Sequence, residues 1–296
     1  MVRLCAFAAY ILVALSTTII IAVAGNLHGQ GGALRAFTRE NGVVEWGSVV
    51  ALFAVAGVAG WALLRDRPRG GANSSARPLG RWQRGVLWLL LGAGLVAAAE
   101  EISWGQQVFG FGSGDFFRAH NLQRETNLHN LMPASISSSI INTTIYALFL
   151  WLPCWIRLAP GGRLDVFAQR HELRPFLPGI RTMLIFAFAS TLQAYFLWVT
   201  WTDTLALAVT LFLLGLVLRR TPDTASEDRL HFACLVACTL LFGLHHEVFR
   251  FANMQYEIRE LLVVLGCLHW LSGWALPAKE SSHAGSAEPP RDTAEK

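Results

Sequence analysis

Apolar residues in this chain gather into long runs instead of being spaced singly. Eight runs stand out, near 4–25, 45–64, 85–104, 134–156, 180–199, 203–219, 230–247 and 258–276. A helix needs about 20 mostly apolar residues to cross a bilayer, and barrel strands are shorter and alternate. The pattern therefore predicts an all-α fold, a polytopic transmembrane helix bundle of about eight spans. It forms a single domain over 1–276, followed by a polar tail at 277–296 that carries Pro289-Pro290 and is expected to be disordered. The loop at 65–84 is rich in Gly, Arg and Ser and reads as solvated; the one at 157–181 predicts a surface helix around Leu164 to Leu173.

The segment 105–133 differs from these loops. It is long for a connection, and Phe109, Phe111, Phe116 and Phe117 argue against disorder. It is expected to lie in the lipid interface, with a short amphipathic helix from Asp115 to about Leu122.

Composition agrees with a membrane protein: 53% of residues are hydrophobic and 15% charged, against about 25% charged in soluble domains. With the N-terminus placed inside, eighteen of the 24 Arg and Lys residues fall on the inner side and six on the outer. By the positive-inside rule both termini are cytoplasmic, in a bacterial inner (cytoplasmic) membrane. The acidic residues divide ten and ten, so the outer face is net −4 and the inner face +8. The overall charge is then a topology signal, and no nucleic-acid partner is expected. Ala22-Val23-Ala24 offers a competing reading of the first span as a cleaved signal peptide, which would leave seven spans. The five cysteines form no CxxC pair and predict neither a disulfide framework nor a cysteine metal site.

Placed on this topology, most ionisable residues collect at the outer helix ends. Glu45 leads into span two, Glu100 and Glu101 end span three, and His129 precedes span four. Asp203 turns into span six, His245, His246 and Glu247 end span seven, and Glu257 and Glu260 open span eight. Charge at a membrane rim is costly, so such clustering points to function. Glu45, Asp203 and Glu257 sit where the helix macrodipole favours an anion, and capping alone explains them. Glu100, Glu101 and Glu247 sit at C-terminal ends, where an anion needs compensation by a proton, an arginine or a cation. Neighbours on a helix point about 100° apart, so one of Glu100 and Glu101 can act while the other orients the loop. The same holds for His245 and His246. His269, deep in span eight, reads as a histidine hydrogen-bonded to a neighbour. Ser135, Ser139, Asn142 and Tyr146 share one face of span four, either as helix-packing glue or as the lining of a polar cavity.

Two stretches carry a resemblance. Glu100-Glu101-Ile102-Ser103-Trp104-Gly105-Gln106 and Glu125-Thr126-Asn127-Leu128-His129-Asn130-Leu131, with the lead-in Arg39 to Trp46, resemble a family of bacterial multi-pass membrane proteins that brings no assigned activity. More loosely, His129, His245 or His246 and a glutamate are similar to the zinc ligands of alkaline-ceramidase-type membrane hydrolases. Those enzymes use spaced late histidines where this chain has adjacent ones.

The leading expectation is an outer-face enzyme acting on a lipid or lipid-linked substrate. In its metal form, zinc would be held by His129 and His245 or His246, with Glu100 or Glu101 as ligand or base and Glu247 orienting. In its metal-free form, paired carboxylates do the acid–base work. A transporter or ion pathway, and a non-catalytic membrane subunit or scaffold, are the alternatives.

Overall fold

A computed structural model describes residues 1–26, 42–66, 79–121, 124–128, 131, 134–194, 201–221, 225–244 and 254–276. Among them the chain is helical, without strands. The long helices are α1 (Val2–Asn26), α2 (Val43–Arg65) and α3 (Arg81–Glu101). After α3 come two short helices, α4 (Gln106–Phe109) and α5 (Asp115–His120). One continuous rod then joins α6 (Ala134–Thr144), a π-helical segment (Ile145–Trp151) and α7 (Leu152–Leu158). A surface helix α8 (Arg163–Arg170) leads to α9 (Ile180–Ala194), α10 (Trp201–Arg220), α11 (Ser226–Leu244) and α12 (Met254–Ala275).

Among the described residues, each of the eight apolar runs contains a helix. Six helices among the described residues are long and apolar enough to cross a membrane. Of the other two, α9 is apolar over Ile180–Leu192, and α11 carries Glu227 and Asp228 in its first turn. Leu4, Leu12, Leu15 and Ile19 on α1, Trp88, Leu89 and Val96 on α3, and Leu205 and Phe212 on α10 are exposed. Apolar stripes of this extent are rare on a soluble monomer and suit a multi-pass membrane protein facing lipid.

The helix α9 lies at the centre. Every residue from Met183 to Leu192 is buried, which fits a helix apolar all round. It packs on α10, α11 and α12, while α12 also packs on α1 and α2, and α3 lies against α2. Tyr10, Leu150, Phe186, Leu214, Phe242 and Leu262 fill one core, and Ala59, Ala62, Leu87 and Leu271 a second between α2, α3 and α12. The α2–α3 contact depends on a small residue: a Cβ on Gly94 would stand 3.1 Å from the Leu52 carbonyl oxygen and 3.2 Å from Ala56 Cβ. Small residues permit such close helix approach in membranes.

Outside the long helices, two aspartates tie loops down. Asp66 accepts the Leu79 amide at 2.8 Å and pairs with Arg84 at 2.6 Å. Asp165 accepts the Gly161 amide at 2.9 Å and pairs with Arg174 at 2.7 Å. The Gly161 amide first, then Arg174, hold the Asp165 carboxyl below its ordinary range.

Candidate functional site

The apolar run that predicts helix as far as 104 stops being helical at Glu101. Ser103 and Trp104 take φ of 47° and 54°, followed by Gly105 at 90°. Positive φ is uncommon for side chains other than glycine, and here tertiary hydrogen bonds hold it. The reversal folds the first sequence stretch onto the second.

Glu100 is the pin. One carboxylate oxygen accepts the Trp104 indole N–H, and the other accepts the Leu128 backbone N–H at 2.5 Å. Next to it, Ser103 Oγ–H donates to Glu125 Oε2 at 2.5 Å and accepts Asn127 Nδ2 at 3.2 Å. Asn127 is clamped in turn by Asn121, whose Nδ2 reaches its carbonyl at 2.9 Å and its Oδ1 at 2.7 Å. Gln106 Oε1 accepts the Thr126 amide at 2.9 Å, and Ser113 Oγ lies 2.7 Å from the Arg124 carbonyl oxygen. Glu100, Ser103, Ser113, Asn121 and Asn127 are all buried. Each is hydrogen-bonded, as buried polar groups must be. The loop beyond carries exposed Phe109, Phe111 and Phe116. Its helix, α5, runs over Asp115–His120, close to the expected span.

Glu101 is placed differently. Among the described residues it has no hydrogen-bond or ion-pair partner. It interacts electrostatically with Glu260, Glu257, Glu45 and Glu100, in decreasing order. These carboxylates come from the start of α2, the end of α3 and the start of α12. Glu45 and Glu257 occupy first turns, where the macrodipole favours them. The two neighbouring glutamates of the motif are thus divided: one is fixed in the loop, the other lies within electrostatic range of carboxylates on α2 and α12.

Beside that group lies a buried cation. Arg259 is 3% exposed, inside the bundle. It donates through Nη2 to Asn142 Oδ1 on α6, while its Nε has no partner among the described residues. Glu260, Tyr146, Asp203 and Tyr256 act on its charge. Asn142 Nδ2 donates to Asp203 Oδ1 at 3.4 Å, and Tyr146 O–H to the Asp203 carbonyl at 3.5 Å. Asn142 and Tyr146 therefore do share a face, and it meets α10 and α12. The π-helical segment begins at Ile145, within this contact. The available signal for Arg259 was its place between Ile258 and Leu262, both buried.

His129, His245, His246 and Glu247 lie outside the described residues. Among the described residues no three His, Cys, Asp or Glu side chains are grouped to hold a metal ion. His269 is buried and hydrogen-bonded, accepting from Arg3 Nε at 3.3 Å and lying 2.8 Å from Thr182 Oγ1. Compared with known proteins, the chain matches no family model, no curated protein and no solved structure.

Proposed function

We propose that this protein is a membrane-embedded enzyme acting on a lipid or lipid-linked substrate, with Glu101 as the group that moves the proton. The observation that carries the reading is the division of labour at the end of α3. Glu100 has both oxygens committed to the motif loop, whereas Glu101 is outside that network and within electrostatic range of carboxylates on α2 and α12. Paired carboxylates supply acid and base when one holds a proton and the other does not. Arg259, buried with Nε unpartnered among the described residues, supplies a fixed positive charge for an anionic substrate group or intermediate. The exposed side chains of Phe109, Phe111 and Phe116 support a lipid substrate, for which they would offer an apolar entry.

We place this end of the bundle outside, on eight spans with both termini in the cytoplasm of a bacterial cell, because the arginine count favours that orientation. Carboxylate chemistry suffices for the proposal. The zinc form, with His129 and His245 or His246 as ligands, is decided by elemental analysis of protein purified without chelator: about one equivalent, lost in His129→Ala and His246→Ala, would establish it.

The activity test uses purified protein in liposomes of total bacterial polar lipid, with products followed by mass spectrometry. Wild type should generate a product that Glu101→Gln makes at least about 100-fold more slowly, the usual contribution of general acid–base catalysis. Equal product from both refutes the role of Glu101. A wild type that changes no lipid, yet retains a stable partner in mild detergent, would replace the enzyme by a non-catalytic subunit.

A further inference from the structure

The opposite end of the bundle has a site of its own. The starts of α1, α9 and α11 and the ends of α7, α10 and α12 surround a cleft of about 760 Å³. Arg3, Arg157 and Arg181 line it, with Asp228 and His269. Only one of these guanidinium groups is neutralised among the described residues: Arg181 pairs with Asp228 and Glu227, each at 2.7 Å. Arg157 donates to two uncharged acceptors, the carbonyls of Pro153 at 3.1 Å and Pro178 at 2.6 Å. Arg3 donates Nε–H to His269 Nε2. That bond puts the imidazole proton on Nδ1, facing Thr182 Oγ1. A neutral histidine therefore positions the Arg3 guanidinium without cancelling its charge.

We propose that this cleft binds the phosphate group of an anionic phospholipid. Three features converge on that ligand. Planar guanidinium groups suit phosphate oxygens. The cleft lies among helix ends, where headgroups of a surrounding bilayer would be met, and basic pockets between membrane helices take such groups. From its rim, Leu4, Leu12, Leu15 and Ile19 run along one exposed face of α1, giving acyl chains an apolar track. Inorganic phosphate would use the arginines but not the track. The site is separate from the carboxylate end and does not depend on its chemistry.

The test measures lipid binding to detergent-purified full-length protein at constant ionic strength, by native mass spectrometry and by melting shift. Phosphatidylglycerol should bind and raise the melting temperature where phosphatidylcholine does not. Arg3→Gln should weaken phosphatidylglycerol binding about tenfold or more, and Arg3→Lys should weaken it less. Arg3 is exposed in the first turn of α1, so its replacement spares the core; Arg157→Gln serves as a second variant if it folds. Equal response to the two lipids, or an Arg3→Gln protein that binds like wild type, overturns the proposal. Inorganic phosphate matching phosphatidylglycerol in effect would overturn the lipid assignment and leave a soluble phosphate ligand.

Discussion

Glu100 and Glu101 are adjacent and chemically identical, yet the structure demands opposite responses to their replacement. Glu100→Ala removes one charged acceptor from two donors, the Trp104 indole and the Leu128 amide. Hydrogen bonds to charged groups contribute about 1.5–3 kcal/mol each. Trp104 is 48% and Leu128 55% exposed, so water recovers part of the loss. Docking of the 124–128 segment onto the end of α3 should weaken by about 2–4 kcal/mol, taking somewhat over half of the two bonds. At about 1.4 kcal/mol per factor of ten, that is a 30- to 700-fold rise in local opening. Amide hydrogen exchange in nanodiscs reads it directly, because Gln106 holds the Thr126 amide only while the segment is docked. Glu101→Gln should leave Thr126 exchange within about twofold of wild type, since Glu101 makes no hydrogen bond in the loop. Unchanged protection in Glu100→Ala, or equal loss in Glu101→Gln, would refute the assignment of the pin to Glu100.

Three other outcomes follow from the packing and charge. Gly94→Ala should destabilise by about 1–3 kcal/mol through overpacking against Leu52 and Ala56, whereas Gly92→Ala, with open space around it, should be neutral or stabilising in the same melting assay. Asn142→Leu should cost about 2–4 kcal/mol because it takes the acceptor from a buried arginine; adding Arg259→Met should recover part of that loss in a double-mutant cycle. Asp165 has a folded pKa below its ordinary 3.8, so its stabilisation is fully present above that value and is lost as pH falls below it. Asp165→Asn should therefore remove the pH dependence of α8 protection in that acid range and leave the protein less protected at neutral pH.

Much of this arrangement is legible in the chain, because the membrane imposes long apolar runs and helices must satisfy their own backbone. Among the described residues a helix lies within each of the eight runs, six of them long and apolar enough to cross a membrane, and the surface helix near 164–173 and the short helix after Asp115 appear with modest shifts at their ends. The end of α3 is different. Nothing local in Ile102-Ser103-Trp104 signals a reversal; it is held by Glu125, Asn127 and Leu128, about twenty residues later in the chain. Helix spacing says only that the two glutamates point in different directions; the tertiary contacts are what show Glu100 to be the one bonded to the loop. Arg259 was obscured for a related reason. Beside Glu257 and Glu260 it looks like part of a charged helix start, and its burial follows from where α6 and α10 pack.

The π-helical turn from Ile145 to Trp151 gives this rod two phases. Ahead of it, Asn142 is aimed at Arg259 and Asp203; behind it, Cys154 and Ile156 are buried at the other end of the bundle. A wider turn accommodates residues that a uniform α-helix of the same reach would not, so the two halves are out of step with a continuous 3.6-residue repeat. Removing one residue there would rotate one half against the other by about 100°. Either the polar contacts or the core beyond would then lose alignment. The rod behaves as a vernier, and its length in residues, more than the identity of any side chain within the turn, sets which face meets the arginine.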